Sequence, residues 1–168
     1  NIGMVQKFID AEKLEGAALE LLADAHGVLV PHGFGSRGAE GKIHSIQFAR
    51  ENEIPFFGIC YGLQCATSEI ARSLAGLAGA NSSEVDPKTP HPVIDFMPDQ
   101  RNVEGKGGTM RLGAYPCRVV PDTLAARAYG ATEVSERHRP RYEFNNDYLE
   151  RYEASSMNLV GFNPDRGL

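Results

Sequence analysis

The stretch Phe56–Gln64, FFGICYGLQ, constrains this chain more than any other. An apolar run of strand length, Ile54–Ile59, passes through Gly58-Ile59-Cys60-Tyr61-Gly62 straight into a helical pattern over Tyr61–Leu74. This is a cysteine version of the strand–nucleophile–helix turn written G-x-S-x-G in hydrolases. The central residue of such a turn sits in a strained backbone conformation and stands clear of its neighbours. Glycines two positions to either side remove the Cβ atoms that would collide there. Cys60 then caps a helix N-terminus, where free N–H groups and the helix dipole favour thiolate over thiol. The N–H of Tyr61 points to where an oxyanion would form. The alternative is that Cys60 is a small buried hydrophobe, as free cysteines often are. Cys65, one turn further along, and Cys117, within a strand-like run, are read as core.

The residues before this turn repeat the same grammar. Met4–Asp10 reads as a strand, and Ala11–Ala25 as a helix with Leu14, Ala18, Leu21 and Leu22 on one face. Gly27–Val30 is a continuous apolar run of the kind buried in parallel sheets, closed by Pro31 and a Gly-rich loop. Gly41–Asn52 reads as a helix with Ile43, Ile46 and Ala49 inward. The alternation β-α-β-α-β-α predicts an α/β fold with a mostly parallel central sheet flanked by helices. The second half is different in texture. Pro87–Pro98 is proline-rich and admits no helix. Gly105–Gly113 reads as a turn, Met110–Leu112 and Tyr115–Val120 as a small antiparallel extension, and Pro121-Asp122 as a turn. Ser135–Tyr142 is a polar, basic stretch, Tyr148–Tyr152 a short helix and Met157–Phe162 a last strand. With no repeat and no low-complexity linker, residues 1–168 read as one domain.

Ligands of parallel α/β sheets gather at the carboxyl ends of the strands. The loop Val30–Gly35, VPHGFG, leaves one strand at that edge and Cys60 leaves the next. N–H groups near Gly33 could complete an oxyanion hole with Tyr61, or the loop is an ordinary Gly-rich turn.

Composition excludes several classes. A net charge of −5 and a pI near 5.5 argue against sequence-independent nucleic-acid binding. No apolar run approaches the roughly 20 residues of a membrane span. Three cysteines give no disulfide framework, no His or Cys pair has zinc-ligand spacing, and a reducing cytoplasmic setting is expected. The N-terminus NIGMVQKF shows no signal-peptide pattern, and because it does not begin with Met the sequence reads as a fragment or as part of a longer chain.

With both loops in hand, the sequence resembles the class I, triad-type glutamine amidotransferases, and among them the amidotransferase domain of the CTP synthase family. The resemblance runs over nearly the whole chain. It is carried by VLVPHGFGSRGAEGKI (residues 28–43), FFGICYGLQ, LAGLAGANSSEVDP (74–87), TPHPVIDFMPDQ (89–100), GGTMRLG (107–113) and SERHRPRYEFNN (135–146). It implies a flavodoxin-like sheet. It also implies that glutamine is hydrolysed here through a thioester on Cys60 and that the ammonia passes to a synthetase domain, which aminates UTP to CTP with ATP and Mg2+. No cofactor is expected in this domain. Gly33 and Tyr61 would supply oxyanion N–H groups; Phe34, Gln64, Glu84 and Arg141 would hold the glutamine. Those types suit a zwitterion, since a carboxylate receives its ammonium and a guanidinium its carboxylate. Taken singly, Glu84 and Arg141 are equally read as solvated surface charges, and Phe34 as core. The implied partners are L-glutamine and the synthetase domain preceding this one, in a full enzyme that is a homotetramer; the domain alone is compatible with a monomer.

Four departures accompany the resemblance. The H-P-E motif that supplies the family's triad His and Glu is absent, and is expected beyond Leu168. His32 replaces the first loop glycine, a costly choice if that position needs positive φ. Tyr61 stands where the family usually has Leu, and Pro140 precedes Arg141 where it has His. Two other readings follow: a non-catalytic relative that binds glutamine or a partner domain, and a γ-glutamyl hydrolase of the same superfamily, against which the GANSSE and GGTMRLG blocks argue.

Overall fold

Two short strands, β1 (Val28–Val30) and β2 (Phe56–Gly58), lie parallel with Val30 opposite Gly58, so both chains leave the sheet at the same edge. A computed structural model describes residues 3–16, 19–96, 113–138, 141–155, 157–165 and 167. Helices α2 (Ala39–Glu51) and α3 (Tyr61–Ser73) follow these strands, as a parallel pair requires a crossover connection. Ala39, Ile43 and Ile46 of α2 and Tyr61, Cys65 and Ala66 of α3 close around Val30, with Val28, Phe56 and Val85 packed on the cluster, and Ala49 of α2 is buried as well. Each fully buried branched side chain of this kind contributes about 1.5–3 kcal/mol. The strand alternation is visible in the exposures: Val30 is buried, while Leu29 and Phe57 are exposed.

The first segment departs from expectation. Residues 4–10 form no strand, and Met4, Val5 and Phe8 are exposed. The helix expected over Ala11–Ala25 is instead α1 (Ala11–Glu15), capped by the Asp10 carboxylate, ended at Gly16 and followed by a 3-10 turn at Leu19–Leu22. Leu14 and Leu22 are buried as expected; Ala18 lies outside the described residues. The close crossing of α1 on α2 depends on Gly41, where a Cβ would meet the Ala11 carbonyl oxygen at 1.8 Å.

A second ladder runs β3 (Asn81–Ser82), β4 (Pro92–Phe96) and β7 (Tyr142–Phe144), parallel between β3 and β4 and antiparallel between β4 and β7. Its core joins Val93 to Ala71, Leu77, Ala80 and Tyr152. Tyr152 comes from α5 (Leu149–Glu153) and donates its hydroxyl to the Thr67 carbonyl of α3 at 2.7 Å. A third sheet is wholly antiparallel, ordered β6 (Glu133–His138), β5 (Gly113–Val119), β8 (Gly161–Phe162). The α/β class with a parallel ladder is thus present, and the antiparallel part is larger than a small extension. The polar run at Ser135 belongs to β6, whose exposures alternate along the strand. Helix α4 (Leu124–Tyr129), which the sequence reading left out, begins at a Thr123 cap and ends at Gly130 with φ 68°. The turn at Asp122 is there, with φ 64°. The expected Gly105–Gly113 turn and Met110–Leu112 strand fall almost wholly outside the described residues.

Candidate functional site

Cys60 links β2 to α3 with φ 55° and ψ −105°, left-handed backbone that an L-residue rarely adopts. The local sequence enforces it. Ile59 N–H donates to the Val30 carbonyl at 2.9 Å, Gly62 N–H to the Ile59 carbonyl at 3.0 Å, and Gln64 N–H to the Cys60 carbonyl at 3.1 Å. The chain therefore turns within one residue from a sheet bond into helical bonds. A Cβ at Gly58 would lie 2.7 Å from the Gly62 carbonyl carbon, and one at Gly62 would lie 2.1 Å from the Val30 carbonyl oxygen. Both glycines are required by close backbone approach, as the motif predicts.

The three cysteines separate cleanly. Cys60 is exposed at the head of α3. Cys65 is buried, and burial pushes its thiol up to about 12, which keeps it protonated and inert. Cys117 lies in β5 as expected but is only half-buried rather than core; desolvation raises its thiol as well.

The Gly-rich loop after β1 lies against the turn. A Cβ at Gly33 would come 3.3 Å from the Tyr61 ring, so the two residues expected to offer oxyanion N–H groups are neighbours. The buried Tyr61 donates its hydroxyl to the Gly35 carbonyl. Gly35 N–H in turn donates to Oε1 of Glu84 at 3.2 Å. Lys42 Nζ donates to the Gly38 carbonyl at 3.2 Å and lies 5.5 Å from the centre of the Tyr61 ring. Desolvation holds the Tyr61 phenol protonated well above its ordinary range. His32 is not among the positive-φ residues, so the strain feared for it does not arise.

On the other side of Cys60, Gln64 donates from Nε2 to the Tyr142 carbonyl at 2.9 Å, bringing the residue after Arg141 to the nucleophile helix. Arg141 itself is exposed at the start of β7; Pro140 lies outside the described residues. Phe34 is 85% exposed, which rules out its reading as core. A small cavity of about 10 Å³ lies behind, among Tyr61, Gln64, Ser82 and Val85. It is far too small to hold an amino acid. Two of the chain's histidines are occupied elsewhere: His91 meets the Tyr148 ring edge-on at 6.0 Å, and His138 lies 6.0 Å from the Tyr115 ring. Among the described residues no group of three or more His, Cys, Asp or Glu is placed to hold a metal ion, and no helix is long and apolar enough to cross a membrane.

The sequence reading missed Gly35 and Lys42. Gly35 is where the Tyr61 hydroxyl and the Glu84 carboxylate meet, and the only signal for it was the G-x-G spacing. Lys42 carried no signal, because its partners are loop carbonyls.

An exposed cysteine on a strained strand-to-helix turn, beside a loop that can offer a second backbone donor, on an α/β fold, is the geometry that thiol-dependent acyl transfer uses. The glutamine amidotransferase class-I family matches residues 3–165, and the chain belongs to that family. It is 55% identical over 163 residues to a CTP synthase of Caldanaerobacter subterraneus subsp. tengcongensis, covering 96% of this chain. It is 54% identical over 160 residues to that of Staphylococcus aureus strain JH9, covering 95%. The chain spans 30% of the length of each of these relatives. Among solved structures, the Trypanosoma brucei CTPS glutaminase domain with bound acivicin superposes with a TM-score of 0.86 at 36% identity, over 94% of this chain and 61% of that one.

Proposed function

We propose that this chain is the glutaminase domain of an enzyme that makes CTP from UTP, and that Cys60 is its nucleophile. The observation that carries the reading is the backbone at Cys60. A strained, exposed thiol held by two obligatory glycines has no structural use, whereas it suits a nucleophile that must reach an incoming carbonyl. In the reaction, Cys60 Sγ bonds to the side-chain amide carbon of L-glutamine. The carbonyl oxygen becomes an oxyanion facing the N–H groups of Gly33 and Tyr61. The carbon–nitrogen bond then breaks, and ammonia leaves with the proton taken from the thiol. Water hydrolyses the resulting γ-glutamyl thioester to glutamate and restores the thiol. Glu84 receives the substrate ammonium and Arg141 its carboxylate, while Gln64 and Phe34 border the bound side chain. The general base belongs to an H-P-E segment outside these 168 residues; neither His91 nor His138 is assigned to it.

The likeness to CTP synthases supports the rest of the reading. Ammonia passes to a synthetase domain of the same enzyme, which uses ATP and Mg2+; no residue of this chain is assigned to either. The full enzyme is a cytoplasmic homotetramer acting on small molecules, without nucleic acid or membrane. The test is covalent labelling by a glutamine-like electrophile, read by peptide mass. Labelling of Cys60 that excess glutamine suppresses is expected. Labelling that ignores glutamine, or that falls on Cys65 or Cys117, would overturn the assignment. In the full-length enzyme, Cys60→Ala is expected to abolish glutamine-driven CTP formation and retain ammonia-driven formation; loss of both in a folded variant would refute the division of labour.

A further inference from the structure

We infer that the Tyr61 hydroxyl is a positioning group for the oxyanion loop, holding Gly33–Gly38 in register with the nucleophile through the Gly35 carbonyl. The inference rests on the glutaminase reading and adds a side-chain role to a residue that reading uses only for its backbone N–H.

The loop has little else to hold it. Its side chains give it little anchorage: His32, Phe34 and Ser36 are exposed, and Arg37, also exposed, pairs with the Glu12 carboxylate of α1. It is fixed instead through its backbone. The Gly35 carbonyl accepts from Tyr61, the Gly35 N–H donates to Glu84, and the Gly38 carbonyl accepts from Lys42. Of these partners only Tyr61 also lies next to Cys60 and heads α3, so it alone ties the loop directly to the nucleophile turn. Its ring, packed on Gly33, sets the spacing between the two N–H donors; its hydroxyl fixes the loop's rotation about that contact. Oxyanion donors act only when their N–H groups are aimed before the charge appears. Loss of the hydroxyl therefore weakens transition-state stabilisation more than ground-state binding. It also leaves the half-buried Gly35 carbonyl without this donor and frees Glu84's partner to shift.

The test is Tyr61→Phe in the full-length enzyme, which keeps the ring and its volume. Loss of one neutral hydrogen bond predicts that kcat for glutamine hydrolysis falls about fivefold, while KM stays within about twofold. Labelling of Cys60 separates positioning from general loosening. The glutamine-like electrophile should react more slowly with the variant. Iodoacetamide, which needs the thiol but no aligned loop, should react with Cys60 at the wild-type rate and leave Cys65 untouched. Unchanged kcat in the variant would overturn the inference. So would a loss of rate accompanied by new Cys65 labelling, since that marks a structural effect. A wild-type enzyme that neither hydrolyses glutamine nor shows glutamine-protected labelling would instead refute the functional reading, and this inference with it.

Discussion

At Cys60, reactivity and backbone comfort oppose each other. Left-handed φ at a non-glycine residue costs roughly 1–3 kcal/mol, and the side chain that incurs it is the one the chemistry needs. Two inactive variants should therefore differ in stability: Cys60→Gly should exceed Cys60→Ala by about 1 kcal/mol in urea denaturation, because only glycine relaxes at this φ. Equal midpoints would mean that the turn stores no strain. The flanking positions behave oppositely. At Gly62 a methyl group would collide with the Val30 carbonyl, so Gly62→Ala should lower stability by about 3 kcal/mol, read from the same denaturation curves. This part of the site was legible in the sequence because a glycine–cysteine–glycine turn between strand and helix has few physical solutions. The contacts of Gly35 were not legible, since backbone groups carry no residue-type signature.

Elements were readable where two signals agreed. β1, α2, β2 and α3 lie within a few residues of their expected bounds, because apolar runs, glycine stops and helical spacing coincide there. Residues 4–10 show the limit. Met4, Val5 and Phe8 favour a strand, but no neighbouring chain supplies a ladder among the described residues, and propensity without pairing makes no strand. Helix α4 escaped because six residues are too few for periodicity, although its Thr123 cap and Gly130 stop were both present. Between α2 and α3 lies a device that no pattern reveals. Glu69 is 1% exposed and accepts from Arg50 Nη2 at 2.8 Å and from its Nε at 3.0 Å. Removing the cation of such a pair strands a buried charge, so Arg50→Ala should cost about 3 kcal/mol, whereas Arg50→Ala with Glu69→Leu should recover much of it in thermal melts.

For the whole molecule, acid should loosen the packing around α2 and α3 before it reaches other parts. Arg72 bridges Glu40 at 2.7 and 3.0 Å and also donates to the Ala80 carbonyl, so one guanidinium joins both helices to the segment leading into β3. Its hydrogen bonds hold the Glu40 carboxyl below the usual glutamate value of 4.5. The unfolded chain therefore binds this proton first. The stabilising contribution is present above that value and is lost as pH falls through the lower folded value. Glu40→Gln should lower the melting temperature near neutrality, change it little well below pH 4.5 where the wild-type carboxyl is itself protonated, and so flatten the acid limb of the profile; an unchanged acid limb would refute the linkage. The backbone-held loop has a further consequence, for what substitutions the chain can absorb. Because Gly33–Gly38 is held chiefly by its main chain, its exposed side chains, apart from Arg37 on Glu12, are free to diverge without disturbing the amides. A saturation library scored on glutaminase activity should therefore alternate along the loop. Ser36 should accept most residues and Arg37 fewer, because it pairs with Glu12, whereas Gly35 (φ 73°) and Gly38 (φ 66°) should reject nearly all. Substitutions tolerated in this stretch would then record how little most of its side chains matter, while its geometry stays fixed.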